Sequence, residues 1–224
     1  MKQTLLIAAA FPVTLAGCSL ADSQSAGPAT SAPQQVFWDR LASHCGPNGV
    51  GRAYSGELVS DDARDADWKG RAMIAHWADC DEDRIAIAFH TQAPDRDDGW
   101  DRSRTWVVTR AGEGAAMRLT LKHDHRHDDA TADAVTFYGG TTEDAGTPNA
   151  QDFAVDQESI ALFEQEGLDA SLTNVWRLEA SPARAQDAHF TYQLTRRNDA
   201  TRLFRVRFNT SEPVDAPPPA WGWE

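Results

Sequence analysis

Catalytic signatures are missing from this chain. It has no His-Glu-x-x-His pair, no Cys-x-x-Cys, no Gly-x-Ser-x-Gly elbow and no glycine loop ending in Lys-Ser/Thr. Those absences remove the sequence grounds for a zincin, a paired-cysteine metal site, an elbow-type serine hydrolase or a P-loop nucleotidase. The run Gly46–Gly51 lacks the lysine and precedes a strand, so it reads as a turn. A basic surplus is missing too: 21 Lys and Arg face 34 Asp and Glu, a formal charge of −13. Such a chain has no electrostatic footprint for nucleic acid or for an anionic lipid surface. The acidic loop Asp95–Asp101 lacks the distal bidentate Glu of an EF-hand and reads as a solvated loop. Cysteine is scarce, with three residues, and one apolar run, Leu5–Leu15, approaches membrane length. The run is too short to span a bilayer and suits the core of an export signal.

What is present begins with an address. Leu15-Ala16-Gly17-Cys18 closes the apolar run and resembles the lipobox of bacterial lipoproteins. The resemblance implies cleavage before Cys18 and lipidation of its thiol and amine. Ser19 in place of Asp implies sorting to the outer membrane, facing the periplasm. Acyl chains would then anchor the protein to the membrane. The chain divides into a signal peptide (1–17), a small, polar, Pro/Gly-bearing lipidated tether (18–34), a folded body (35–210) and a Pro/Trp-rich tail (211–224), whose Trp221 and Trp223 are expected to dock back. With Cys18 assigned to lipid, Cys45 and Cys80 form an even pair in an oxidising compartment and predict a disulfide.

The body reads as all-β and mainly antiparallel. Apolar residues fall on alternate positions in Ile85/Ile87/Phe89, Phe190/Tyr192/Leu194 and Phe204/Val206/Phe208, the period of a strand with one buried face. Nine such segments are predicted: 52–60, 71–78, 84–90, 104–110, 116–127, 134–138, 174–179, 189–196 and 203–209. A short N-terminal helix over 34–45 precedes them, and one further helix starts at Asp156 and stops at Gly167. Eight or nine strands suit a closed or nearly closed barrel, with a β-sandwich as the alternative. In strand count the arrangement resembles the calycin-type barrels that hold small hydrophobic ligands. The stretches 139–155 and 91–103 read as long connections, hence lids or rims.

One strand is unusual. In Leu119-Thr120-Leu121-Lys122-His123-Asp124-His125-Arg126-His127, strict alternation would carry His123, His125 and His127 inward behind Leu119 and Leu121, with Tyr138 on a returning strand nearby. Three imidazoles would then line one end of a cavity and gain charge as pH falls. Neighbouring members lie roughly 6.5–7 Å apart, close enough for two to share a divalent metal, whereas His123 and His127 are too far apart to serve one ion. The segments KHDHRHDD and DAVTFYGG, with DRSRTWVVTR before and ESIALFEQEGLDASLTNVW after, resemble an uncharacterised family of exported proteobacterial proteins over about residues 35–220. That resemblance implies a motif at Lys122–His127 and no activity. Three readings follow: a non-enzymatic envelope barrel binding a small molecule or a protein partner; a metal-binding protein or metal-dependent enzyme built on His123, His125 and His127; or a structural coat protein with no ligand.

Overall fold

The computed structural model describes residues 32–182 and 185–224. The expected signal peptide, Cys18 and the tether up to residue 31 lie outside the described residues. Ten antiparallel strands close into one barrel: β1 (Ala53–Leu58), β2 (Met73–Cys80), β3 (Arg84–Gln92), β4 (Trp100–Ala111), β5 (Arg118–His125), β6 (Tyr138–Thr141), β7 (Ala150–Val155), β8 (Asn174–Ala180), β9 (His189–Arg196) and β10 (Asp199–Asn209). Each strand pairs with its chain neighbours, and β1 closes the ring against β10. The barrel reading holds over the sandwich, with ten strands in place of eight or nine.

The corrections cluster in one region. The predicted strand over 134–138 is absent before Tyr138, and the supposed lid at 139–155 contains wall strands β6 and β7. Gly139 and Gly140 explain the misreading, because glycine carries no apolar side chain to mark a strand. The neighbouring chain needs them bare: a Cβ on Gly139 would meet the Leu121 carbonyl oxygen at 1.8 Å, and one on Gly140 the Ala154 oxygen at 1.8 Å. The connection expected at 91–103 shortens to 93–99, since β3 and β4 extend into it.

The inward residues of the strands fill the barrel. Trp77, Trp176, Phe153, Phe190 and Phe208 are fully buried, and a ten-stranded ring is wide enough to need such large rings inside. One end is plugged by α1 (Pro33–Ala42), which takes in Pro33 and Gln34 from the stretch assigned to the tether. Phe37 and Leu41 are wholly buried. The Trp77 indole N–H donates to the Leu41 carbonyl at 3.0 Å, and the Gln34 amide donates to Thr142 Oγ1 at 2.8 Å. Cys45, just past the helix, is bonded to Cys80 at the end of β2, as the cysteine count predicts.

The second helix, α2 (Gln157–Gln165), starts where its capping residue predicts: Asp156 accepts from the Ser159 N–H at 2.9 Å. It packs on β6, with Ser159 Oγ accepting from the Gly139 N–H at 2.7 Å. The tail crosses the outer wall. Val214 pairs with Ala53, the Trp221 N–H donates to the Arg102 carbonyl at 3.1 Å, and the Trp223 indole donates to Asp124 Oδ2 at 2.9 Å. Both tryptophans therefore dock as expected. The outward residues Ala86, Ala88 and His90 are also fully buried, so β3 is covered on both faces. Among the described residues, no helix is long and apolar enough to cross a membrane.

Candidate functional site

The end opposite α1 is the mouth, where β4 and β10 begin and β5 and β9 end. It holds a cavity of about 160 Å³, close to the roughly 150 Å³ that receives a benzene-sized molecule in a protein interior. A larger concavity of about 530 Å³ lies on the outer wall between Ser55, Asp187, His189 and Arg207. It is lined mainly by polar groups, whereas the smaller mouth is walled by aromatic rings and is the better candidate for holding a small molecule.

A ladder of parallel rings forms its wall. Trp68 stacks on Phe89 (centroids 6.0 Å apart, planes 9° apart), Phe89 on Trp106 (4.7 Å, 15°) and Trp106 on Tyr192 (4.4 Å, 9°). Three of these rings come from inward strand positions. Trp68 ends a 3-10 turn at Ala63–Trp68 that folds over the mouth between β1 and β2. That turn is pinned by Asp65, buried and paired to Arg202 through both carboxylate oxygens at 2.5 and 3.0 Å. Two bonds in this parallel geometry fix both the position and the angle of the partners.

The histidine strand supplies the other side, with one member fewer than expected. His123 and His125 point into the barrel end. His127 does not: β5 stops at His125, the backbone turns, and His127 is exposed, with Nε2 4.0 Å from Asp133. The pleat that would have carried it inward ends at the turn, where the His127 N–H donates to the Thr131 carbonyl. Nor is the His123 imidazole a free ligand. Its Nδ1 lies 3.1 Å from the Tyr138 carbonyl oxygen and its Nε2 lies 2.9 Å from the Tyr192 hydroxyl. A carbonyl only accepts, so Nδ1 carries the proton and Nε2 accepts from Tyr192. Burial holds this ring neutral, lowering its pKa to about 3, and the neighbouring His125 adds to the effect. Burial and Arg104 lower His125 to about 4. His123 and His125 thus stay neutral near neutral pH, and at His125 desolvation outweighs the nearby carboxylates.

Tyr138 completes this wall. Its ring stacks on His123 (4.6 Å, 11°), its hydroxyl lies 3.2 Å from His125 Nε2, and Phe163 of α2 packs against it. Burial raises its pKa to about 12. It is aimed by Phe137, which sits at a left-handed φ of +53° and donates its N–H to the His123 carbonyl at 2.6 Å. A bulky residue in that region is strained, and such strain collects at binding sites.

Sequence reasoning found His123, His125 and Tyr138 and treated Phe89, Tyr192 and Phe204 as ordinary core. It missed Trp68, Arg104, Trp106, Asp65 and Arg202. For Arg104 a signal existed, because it shares the inward phase of Trp106 and Val108. Trp68 had none, since it lies in an irregular turn. The metal reading does not fit these residues. Among the described residues no group of three or more His, Cys, Asp or Glu side chains converges, and both ring nitrogens of His123 are engaged. Comparison of the chain with protein-family models, curated proteins and solved structures gives no match.

Proposed function

We propose that this protein is a lipid-anchored, non-enzymatic binding module of the cell envelope whose barrel mouth takes a small ring-bearing ligand. The observation that carries the reading is the ring ladder Trp68–Phe89–Trp106–Tyr192, all four of whose rings line the cavity at the mouth. Aromatic walls reward a flat, polarisable guest by roughly 0.5–1.5 kcal/mol per stacked pair beyond its buried area. The other groups at hand suit binding better than turnover. His123 is locked in one tautomer, and His125 and Tyr138 are bonded to each other. The lipobox supports attachment at the periplasmic face of the outer membrane, with Cys18 as the acylated residue.

Two measurements test this. Titration with a one-ring compound such as benzamide, followed by NMR, is expected to shift the indole N–H signals of Trp68 and Trp106 saturably at one site per chain. Trp68→Ala is expected to weaken that binding about 5- to 10-fold, the loss of one aromatic contact. Failure of any one-ring compound, neutral or charged, to give saturable shifts at the mouth would refute the binding-module reading. Separately, Cys18→Ala is expected to move the protein from the membrane fraction to the soluble fraction. Retention of that variant in the membrane fraction would refute the lipid anchor.

A further inference from the structure

An aromatic-walled pocket invites two kinds of guest, a cation held over ring faces or a flat molecule stacked between them, and the charges at the mouth decide between them. A cation site wants a carboxylate to spare. Among the described residues the mouth lining has one carboxylate, Asp65, and it is locked to Arg202. The face of Trp68 is occupied as well, by the Arg104 guanidinium 5.3 Å from its centroid.

The two arginines of the lining differ sharply. Arg202 gives Nη1 to Asp62 and Asp65 and Nη2 to Asp65, and its side chain is 10% exposed. Arg104 sits on the inward face of β4, between Phe89 of β3 and His125 of β5 in register, and its side chain is 32% exposed at the opening. Its two hydrogen bonds both leave from Nη1, to Asp101 Oδ2 and Ser103 Oγ, each at 2.9 Å. Among the described residues, Nε and Nη2 have no protein acceptor. A β-bulge at this level, where the pairing shifts between Phe89 and Thr91, brings Asp101 back to Arg104 and fixes the guanidinium from one side. The edge left over carries two parallel N–H donors, the fork that a carboxylate accepts.

Resting on the proposed binding at the mouth, we infer that the ligand is an aromatic or conjugated carboxylate: its ring fills the cavity against the exposed edges of the mouth rings, and its carboxylate accepts from Nε and Nη2 of Arg104. The −13 charge of the chain does not favour an anion at a distance, so selectivity comes from this one contact. Benzoate and benzamide share a shape and differ in charge, and they separate this inference from the reading beneath it.

With the unaltered body, residues 32–224, or the full-length chain, benzoate is expected to bind at least 10-fold more tightly than benzamide by NMR titration. Arg104→Gln is expected to abolish the preference for benzoate over benzamide, and Arg104→Lys to retain part of it. Equal binding of the two compounds by the unaltered protein overturns the carboxylate inference and leaves the ring-binding function standing. A preference that survives Arg104→Gln overturns the assignment to Arg104. Absence of binding by both compounds refutes the ring-binding function and this inference with it. The first comparison needs no variant, so a poorly folding Arg104→Gln protein does not shield the proposal.

Discussion

Acidification from about pH 7 to pH 5 is expected to cost this barrel roughly 5–6 kcal/mol of stability, before its ion-paired carboxylates protonate. His44, His90 and His123 are all buried, and desolvation is the largest cause lowering each of them, to about 4, about 4 and about 3. His76 and His125 shift in the same direction. In the unfolded chain these rings titrate near pH 6.5. Below that value the unfolded state binds protons that the folded state refuses, so stability falls with pH until the folded values are reached. Each fully buried ring then costs about 2 kcal/mol between pH 7 and pH 5, and three of them together match the low end of the roughly 5–15 kcal/mol that holds a typical domain together.

The favourable contribution of the carboxylates lies lower. Asp62 and Asp199 are held below their ordinary range, first by hydrogen bonds from Arg64 and Thr201 respectively, so their ion pairs are lost only below about pH 4. Urea denaturation at several pH values checks this: the midpoint is expected to drop steeply between pH 7 and pH 5 at constant slope. His90→Phe is a useful companion, because among the described residues neither His90 ring nitrogen has a hydrogen-bond partner. It is expected to flatten the pH dependence by about one proton. A midpoint unchanged down to pH 5 would show that these rings are not neutral and buried.

Reduction of the disulfide, or Cys45→Ser, is expected to cost roughly 3–4 kcal/mol, the chain-entropy value for cysteines 35 residues apart. The bond joins the exit of α1 to the end of β2, so its loss frees the plug end of the barrel. His44 adjoins it, with Nδ1 2.8 Å from the Tyr54 hydroxyl and its ring 4.7 Å from that of Trp77. Hydrogen exchange should therefore rise first in α1 and β1, while protection at the mouth persists. Parallel loss of the mouth would mean that the two ends unfold as one unit. A stability change under about 1 kcal/mol would contradict the entropic account.

The barrel was legible where alternation was clean. Ile85/Ile87/Phe89, Phe190/Tyr192/Leu194 and Phe204/Val206/Phe208 each announce an inward face, and all three triplets are buried or nearly so. Legibility failed where the strand signal depends on side chains that are absent: Gly139 and Gly140 form wall because two carbonyls press against them, a fact of the neighbouring strands and not of local preference. It failed again at His127, where period two was extrapolated past the residue at which the chain turns. A turn between 127 and 131 is decided by backbone hydrogen bonds, which leave only a faint trace in residue type.

By itself the sequence determined the all-β class, the two helices, the Cys45–Cys80 pair and the inward course of His123 and His125, because these follow from periodicity, capping and count along a single stretch of chain. Only the tertiary structure decided that His123 is a locked, neutral wall group. The same holds for Trp68, which folds over from a distant turn to extend a ring ladder, and for Arg104, which keeps an edge open to the mouth while Arg202 is sealed against Asp65. Each of these depends on which residues from different strands meet at one level of a closed ring, and the closing of that ring is a property of all ten strands together.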